Sequence, residues 1–167
     1  MKITLFQGMA NNELLMARRL SEFNDVELFQ EGFYDGFAHC AHGQVISERK
    51  VQIIRHPSVM DNLVFGYPIT RRFVRKFMSL SEPPRDVVIS EGLAKTRAAL
   101  ALRRKGLVRR VIATVSDYLP IYGTTSVKMH RRIHNWLLWR AIDRADDVWK
   151  VSSRIPINAK VFPLFID

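Results

Sequence analysis

Only one cysteine, Cys40, occurs in the 167 residues. This excludes a disulfide framework and a zinc cluster built on thiolates, and it points to a reducing compartment. Long apolar runs are missing as well. The opening MKITLF is cut short by Gln7-Gly8, too early for a signal peptide, and no later stretch is long enough to cross a bilayer. There is no internal repeat and no low-complexity tract. The glycine-rich G-x-G-x-x-G turn of dinucleotide-binding folds is absent, since Gly8 stands alone after the first apolar run. Acids are scarce: 16 Asp and Glu face 26 Lys and Arg, which leaves a formal charge of +10.

What is present is an ordinary globular composition, 47% hydrophobic, in a chain of one-domain length with enough residues for a real core. The basic excess is uneven. Arg71, Arg72, Arg75, Lys76, Arg103, Arg104, Lys105, Arg109, Arg110, Lys128, Arg131 and Arg132 all come from the middle of the chain. Such a field draws phosphates of any kind, whether on nucleic acid, anionic lipid or a nucleotide ligand, and charge alone does not choose among them.

The stretch from Arg85 to Pro120 organises the rest. Two short β-branched bursts, Asp86 to Ile89 and Val111 to Val115, predict strands covered on both faces, as parallel strands are. Between them Ala94, Ala98, Ala101 and Leu102 share one side of a helix that Gly106 ends in a left-handed cap. In such β-α-β units ligands gather at the carboxyl ends of the strands. The candidate triplets are therefore Ser90-Glu91-Gly92 and Ser116-Asp117-Tyr118.

Around that unit the pattern predicts a strand from Lys2 to Phe6, then a helix whose buried stripe is Met16, Leu20 and Phe23, capped by Asn11 or Asn12. The turn between them, Gly8, Met9, Asn11 and Asn12, suits a phosphate through its exposed N–H groups, and suits a plain strand-to-helix connection equally. Strands follow at Val26–Gln30, Gln44–Ile46 and Val51–Ile54. His39, Cys40 and His42 read as a solvated loop rather than a metal site, and no metal is expected. Thr70 is the expected cap of a helix with Phe73, Val74 and Phe77 inward and Arg71, Arg72, Arg75 and Lys76 outward. A long helix from Val127 to Ala145 sets Met129, Ile133 and Trp136 against Lys128, Arg131 and Arg132, with Trp139 in its more apolar second half. Strand character resumes at Asp146–Ser152 and Lys160–Asp167. Alternating strands and helices make this a doubly wound, mostly parallel α/β fold, Rossmann-like with helices on both faces.

Four phrases carry a family resemblance: DVVISEG at 86–92, TVSDYLP at 114–120, RADDVWKVS at 144–152 and KVFPLFID at 160–167. In topology and in these phrases the chain resembles the N-terminal, acceptor-binding half of a GT-B glycosyltransferase of family 4. The corresponding phrases there are of the form DVVHAHG, TVHD, ADxVIAVS and KVxVIPNGID. Glu91 and Ser116 stand where that family usually has histidines, and its double glycine is reduced to Gly8.

The resemblance implies a retaining transferase that takes a sugar from a nucleotide-diphosphate donor, as substrate and with no other cofactor, and passes it to a lipid-linked or membrane-surface glycan. It implies catalytic roles for Glu91, Ser116 and Asp117, while Glu91 reads equally as an acid at a helix start that serves the dipole. Donor phosphates or substrate would meet Gly8, Met9, Asn11, Asn12, Gly92 and Tyr118. Arg71, Arg72, Arg75, Lys76, Lys128, Arg131, Arg132, Trp136 and Trp139 would dock on an anionic membrane surface or acceptor. The donor-binding domain would lie outside these residues or on a partner chain, and residues 1–167 alone would be inactive. A cytoplasmic location, peripheral on the inner face of the membrane, goes with that reading. Two other classes remain open: a basic α/β module for nucleic acid, and a non-catalytic half-domain that works only beside a partner.

Overall fold

Runs of β-branched and aromatic residues too short for helices become strands, and the glycines and polar turns between them let the chain reverse. The computed structural model describes residues 1–7, 12–32, 51–55, 64–80, 84–115, 124–150 and 160–161. Seven strands are formed among them: β1 Lys2–Gln7, β2 Asp25–Gly32, β3 Val51–Arg55, β4 Arg85–Glu91, β5 Val108–Val115, β6 Asp147–Lys150 and β7 Lys160–Val161. They make one sheet in the order β3-β2-β1-β4-β5-β6-β7, and every neighbouring pair is parallel. Four helices are described: α1 Asn12–Ser21, α2 Tyr67–Leu80, α3 Gly92–Arg104 and α4 Thr125–Ile142. The expected doubly wound, Rossmann-like architecture is the one observed.

Alternation along each strand divides the core in two. Ile3 and Leu5 of β1, Val26 and Leu28 of β2, and Val87 and Ile89 of β4 pack with Met16 and Ala17 of α1 on one face. Phe6, Phe29 and Val88 point the other way, under α2, α3 and α4. Phe6 holds that side together: its ring lies 5.4 Å from Phe29, 5.0 Å from Phe73 and 6.0 Å from Phe77. Full burial of each such ring contributes about 1.5–3 kcal/mol. Parallel strands need covers on both faces, and these two clusters supply them.

Three expectations are corrected. The first helix ends at Ser21, where the Asn24 side chain donates to the Leu20 carbonyl at 3.1 Å, so Phe23 has left the buried stripe and is 84% exposed. Thr70 does not cap α2, which begins three residues earlier at Tyr67 with Pro68 in its first turn. The Thr70 hydroxyl instead lies between the carbonyls of Gly66 at 3.1 Å and Ala94 at 2.9 Å, joining α2 to α3. Ala101 does not join Ala98 and Leu102 in the core but is half-buried at the outer side of α3. Gly106, by contrast, closes α3 as expected: at φ +74° it lets its own N–H reach Arg103 O and the Leu107 N–H reach Leu102 O. The predicted strand at 44–46 lies outside the described residues.

The turn from α4 into β6 is tied down by one carboxylate. Asp146 accepts the Val111 N–H at 2.7 Å and the Arg103 guanidinium, so it links α3, β5 and the turn. Burial alone would raise this carboxyl, but the Val111 and Arg103 hydrogen bonds and the charges of Arg103 and Arg110 outweigh it and hold it below its ordinary value. A depressed carboxyl stabilises the fold above its unfolded pKa and loses that contribution as pH falls through the folded value. We expect Asp146→Asn to cost about 1 kcal/mol at neutral pH, the carboxylate being partly solvent-screened. Urea titrations should show the difference from wild type shrinking below the ordinary value of 3.8.

Candidate functional site

β1 and β4 lie side by side at the centre of the sheet, with Phe6 in register with Ser90. After β1 the chain passes into α1 on one face; after β4 it passes into α3 on the other. Outside the carboxyl ends of two neighbouring strands whose helices go to opposite faces, doubly wound folds have the crevice that holds their ligands.

Four residues of that edge are polar and well covered. The Ser90 hydroxyl donates to the Thr96 hydroxyl at 3.1 Å, and the Thr114 hydroxyl donates to the Ser90 carbonyl at 3.3 Å. These bonds fix the β4–α3 turn against β5. Gln7, at the end of β1, is only 1% exposed, yet its amide nitrogen has no hydrogen-bond partner among the described residues. A buried amide left in this state costs about 1–3 kcal/mol. Glu91 is the N-cap residue of α3, half-buried and extended at φ −99°, and its side chain makes no cap hydrogen bond. Gly92 follows at φ +65°, with open space where a Cβ would stand. The first turn of α3 carries no acid, and like any helix start it presents N–H groups and a positive dipole end that favour an anion.

The structure places Glu91 and Gly92 at the carboxyl end of β4 and the start of α3, while Gly8, Met9, Asn11, Ser116, Asp117 and Tyr118 lie outside the described residues. Asn12 is the first residue of α1. His39, Cys40 and His42 are outside as well, and among the described residues no cluster of His, Cys, Asp and Glu could hold a metal. Ser90 stood in a candidate triplet, but Gln7 and Thr96 were not singled out from sequence. Gln7 could have been found from its place at the carboxyl end of β1, whereas Thr96 joins the group only through the folding of α3 onto β4.

Beside the crevice, residues 64–66 form a strained turn. Phe65 takes φ +54°, rare for a bulky side chain, and its ring stacks on His130 at 4.7 Å. Arg97 donates to the Phe65 carbonyl at 3.3 Å, and burial pulls its guanidinium below the ordinary arginine value.

The residues expected to dock on a surface divide. Arg71 and Arg75 of α2 and Lys128 and Arg132 of α4 are exposed, whereas Arg72, Lys76 and Arg131 are half-buried. Trp136 is 54% exposed, with the Arg140 guanidinium 5.0 Å from its ring centre. Trp139 turns inward and packs against the core. No described helix is long and apolar enough to cross a membrane.

No protein-family model matches the chain, and no curated protein matches it in sequence. Solved structures match in fold. The N-terminal domain of trehalose-6-phosphate phosphatase from Candida albicans superposes with a TM-score of 0.56 at 10% identity, over 91% of this chain and 40% of that one. UDP-N-acetylglucosamine 2-epimerase from Rickettsia bellii gives 0.52 at 14% identity, over 92% and 39%. A short-chain dehydrogenase/reductase from Veillonella parvula gives 0.51 at 11% identity, over 90% and 69%. The shared feature is the Rossmann-like fold, and the chain spans about two fifths of the epimerase and phosphatase chains.

Two glycines of this region should respond differently to substitution. At Gly66, φ is +67° and an added Cβ would meet the Ala94 Cβ at 2.7 Å, so Gly66→Ala is expected to cost about 2–4 kcal/mol. Gly92→Ala carries the backbone cost alone, about 1 kcal/mol. Chemical denaturation of both variants checks the ordering.

Proposed function

We propose that residues 1–167 form the acceptor-binding half of a retaining GT-B glycosyltransferase. It would pass a sugar from a nucleotide-diphosphate donor to a lipid-linked or membrane-surface glycan. The observation that carries this reading is the carboxyl edge of β1 and β4, where Glu91 stands at the N-cap position of α3 and the buried Gln7 amide has no partner among the described residues. The four sequence phrases support it, and so does the fold shared with an enzyme of UDP-N-acetylglucosamine.

In this reading Glu91 accepts a hydrogen bond from an acceptor hydroxyl and orients it toward the donor sugar. Gly92 and the N–H groups at the start of α3 face donor phosphate, as do Gly8, Met9, Asn11 and Asn12. Ser116, Asp117 and Tyr118, which follow directly on the end of β5 in sequence, complete the sugar-facing wall. The donor-binding half comes from outside residues 1–167, in the same protein or on a partner. A short-chain dehydrogenase/reductase shares the fold, but QGMANN after β1 has one glycine where the dinucleotide turn needs three.

A single wall of a cleft cannot exclude water or align two substrates. Given UDP-N-acetylglucosamine and a polyprenyl-phosphate-linked acceptor, the chain alone is expected to give no transfer, while the donor raises its Tm. Glu91→Gln should keep the donor-induced rise and weaken acceptor capture roughly tenfold, the loss of a charged hydrogen bond. Sugar transfer by the chain alone contradicts the proposal. So does a Tm that no nucleoside-diphosphate sugar moves.

A further inference from the structure

α2, α3 and α4 each follow a strand of one parallel sheet, so they run in the same direction across one face. α3, the middle helix, lies between its neighbours and presents the half-buried Ala101 there. An open cleft of about 960 Å³ results. One wall is Tyr67, Arg71, Arg75 and Met78 of α2. The floor is Arg97, Leu100, Ala101 and Arg104 of α3. The other wall is Trp136, Leu137, Arg140 and Ala141 of α4.

The lining contains seven of the chain's eighteen arginines and one of its eight lysines, and no Asp or Glu at all. Among the described residues only Arg103 of these cations is paired with a carboxylate. Helix dipoles account for part of the set: Arg103, Arg104 and Arg140 lie in the last turns of α3 and α4, where cations are favoured. They do not account for Arg71, near the start of α2, or for Arg75 and Arg97 in mid-helix. Crowding these charges without acids costs stability unless an anion enters. Guanidinium in such excess over ammonium favours oxygens that accept two hydrogen bonds at once, as phosphate does.

The rest of the face is apolar in a way that selects the phosphate's carrier. Tyr67 and Met78 on one rim, and Met129, Ile133 and Trp136 along α4, are all exposed. Aliphatic side chains offer nothing for nucleic-acid bases to stack on. The two aromatic rings already carry a guanidinium each, Arg71 at 5.9 Å from Tyr67 and Arg140 at 5.0 Å from Trp136. Aromatic and aliphatic groups on two parallel ridges, with cations beside and between them, match the interfacial layer of a bilayer.

We propose that the α2–α3–α4 cleft is a docking site for the phosphate headgroups of anionic membrane lipids, with the two ridges seated at the headgroup–acyl boundary. This goes beyond the crevice at β1–β4, which lies at the sheet's carboxyl edge and not on this helical face. It also assigns Arg97, Arg104 and Arg140, which neither helix pattern singled out, to the same surface as Arg71, Arg75 and Trp136.

The test is flotation of the whole chain with phosphatidylcholine vesicles, with or without phosphatidic acid. Binding is expected only with phosphatidic acid. Arg75→Gln with Arg104→Gln, both on exposed side chains, should weaken it roughly thirty-fold, the loss of two cations near the surface. Arg19→Gln on α1, across the sheet, should leave it unchanged. The Tm of each variant shows that it is folded. Equal binding to neutral vesicles overturns the proposal, as does equal weakening by Arg19→Gln. A single-stranded oligonucleotide that displaces the vesicles and loses affinity in the double variant gives the cleft to nucleic acid and also overturns it. Vesicle binding without a donor-induced Tm rise would sink the transferase reading and leave the cleft standing; the reverse pattern would do the opposite.

Discussion

The structure depends on the parallel pairing of β1 with β4. Thr4 lies beside Val88, Leu5 beside Ile89 and Phe6 beside Ser90. This places two strands side by side whose following helices must go to opposite faces. The crevice, the division of the core into two clusters, and the gathering of three helices on one face all follow from it. Phe6 secures the pairing from below, with the rings of Phe29, Phe73 and Phe77 around it.

The two candidate surfaces use different chemistry because they come from different ends of that arrangement. At the carboxyl edge the chain offers a few polar groups in fixed positions: Glu91 at a helix start, the Ser90–Thr96–Thr114 hydroxyls, the buried Gln7 amide. Such a site orients a small ligand. On the helical face it offers many cations on long side chains beside exposed apolar ridges, which suits a surface more than one bound conformation. Near the boundary between the two, Arg97 lines the cleft and also donates to the carbonyl of Phe65, the strained residue of the 64–66 turn.

Most of the fold was legible in the sequence where local chemistry and tertiary context agree. The β-branched bursts of β4 and β5, the glycine end of α3 and the inward Phe73 and Phe77 of α2 are such places. It was misread where a residue serves a different neighbour. Thr70 looks like a cap, but its hydroxyl reaches Ala94 on another helix. Phe23 continues the stripe of α1 in spacing, but the helix has ended. Of the crevice, Glu91 and Gly92 could be read from their place after a strand. The basic cleft could not, because its cations sit on and just after three helices, from Arg71 to Arg144, and only packing brings them together.

The claim at the centre is that a nucleotide-sugar donor enters where β1 and β4 part. Amide NMR of the chain during titration with UDP-N-acetylglucosamine tests it most directly. Shifts concentrated at Gln7 and at Ser90 to Leu93, with the amides of α2 and the second half of α4 unmoved, are the expected result. Shifts confined to the helical face, or none at saturating donor, would contradict it.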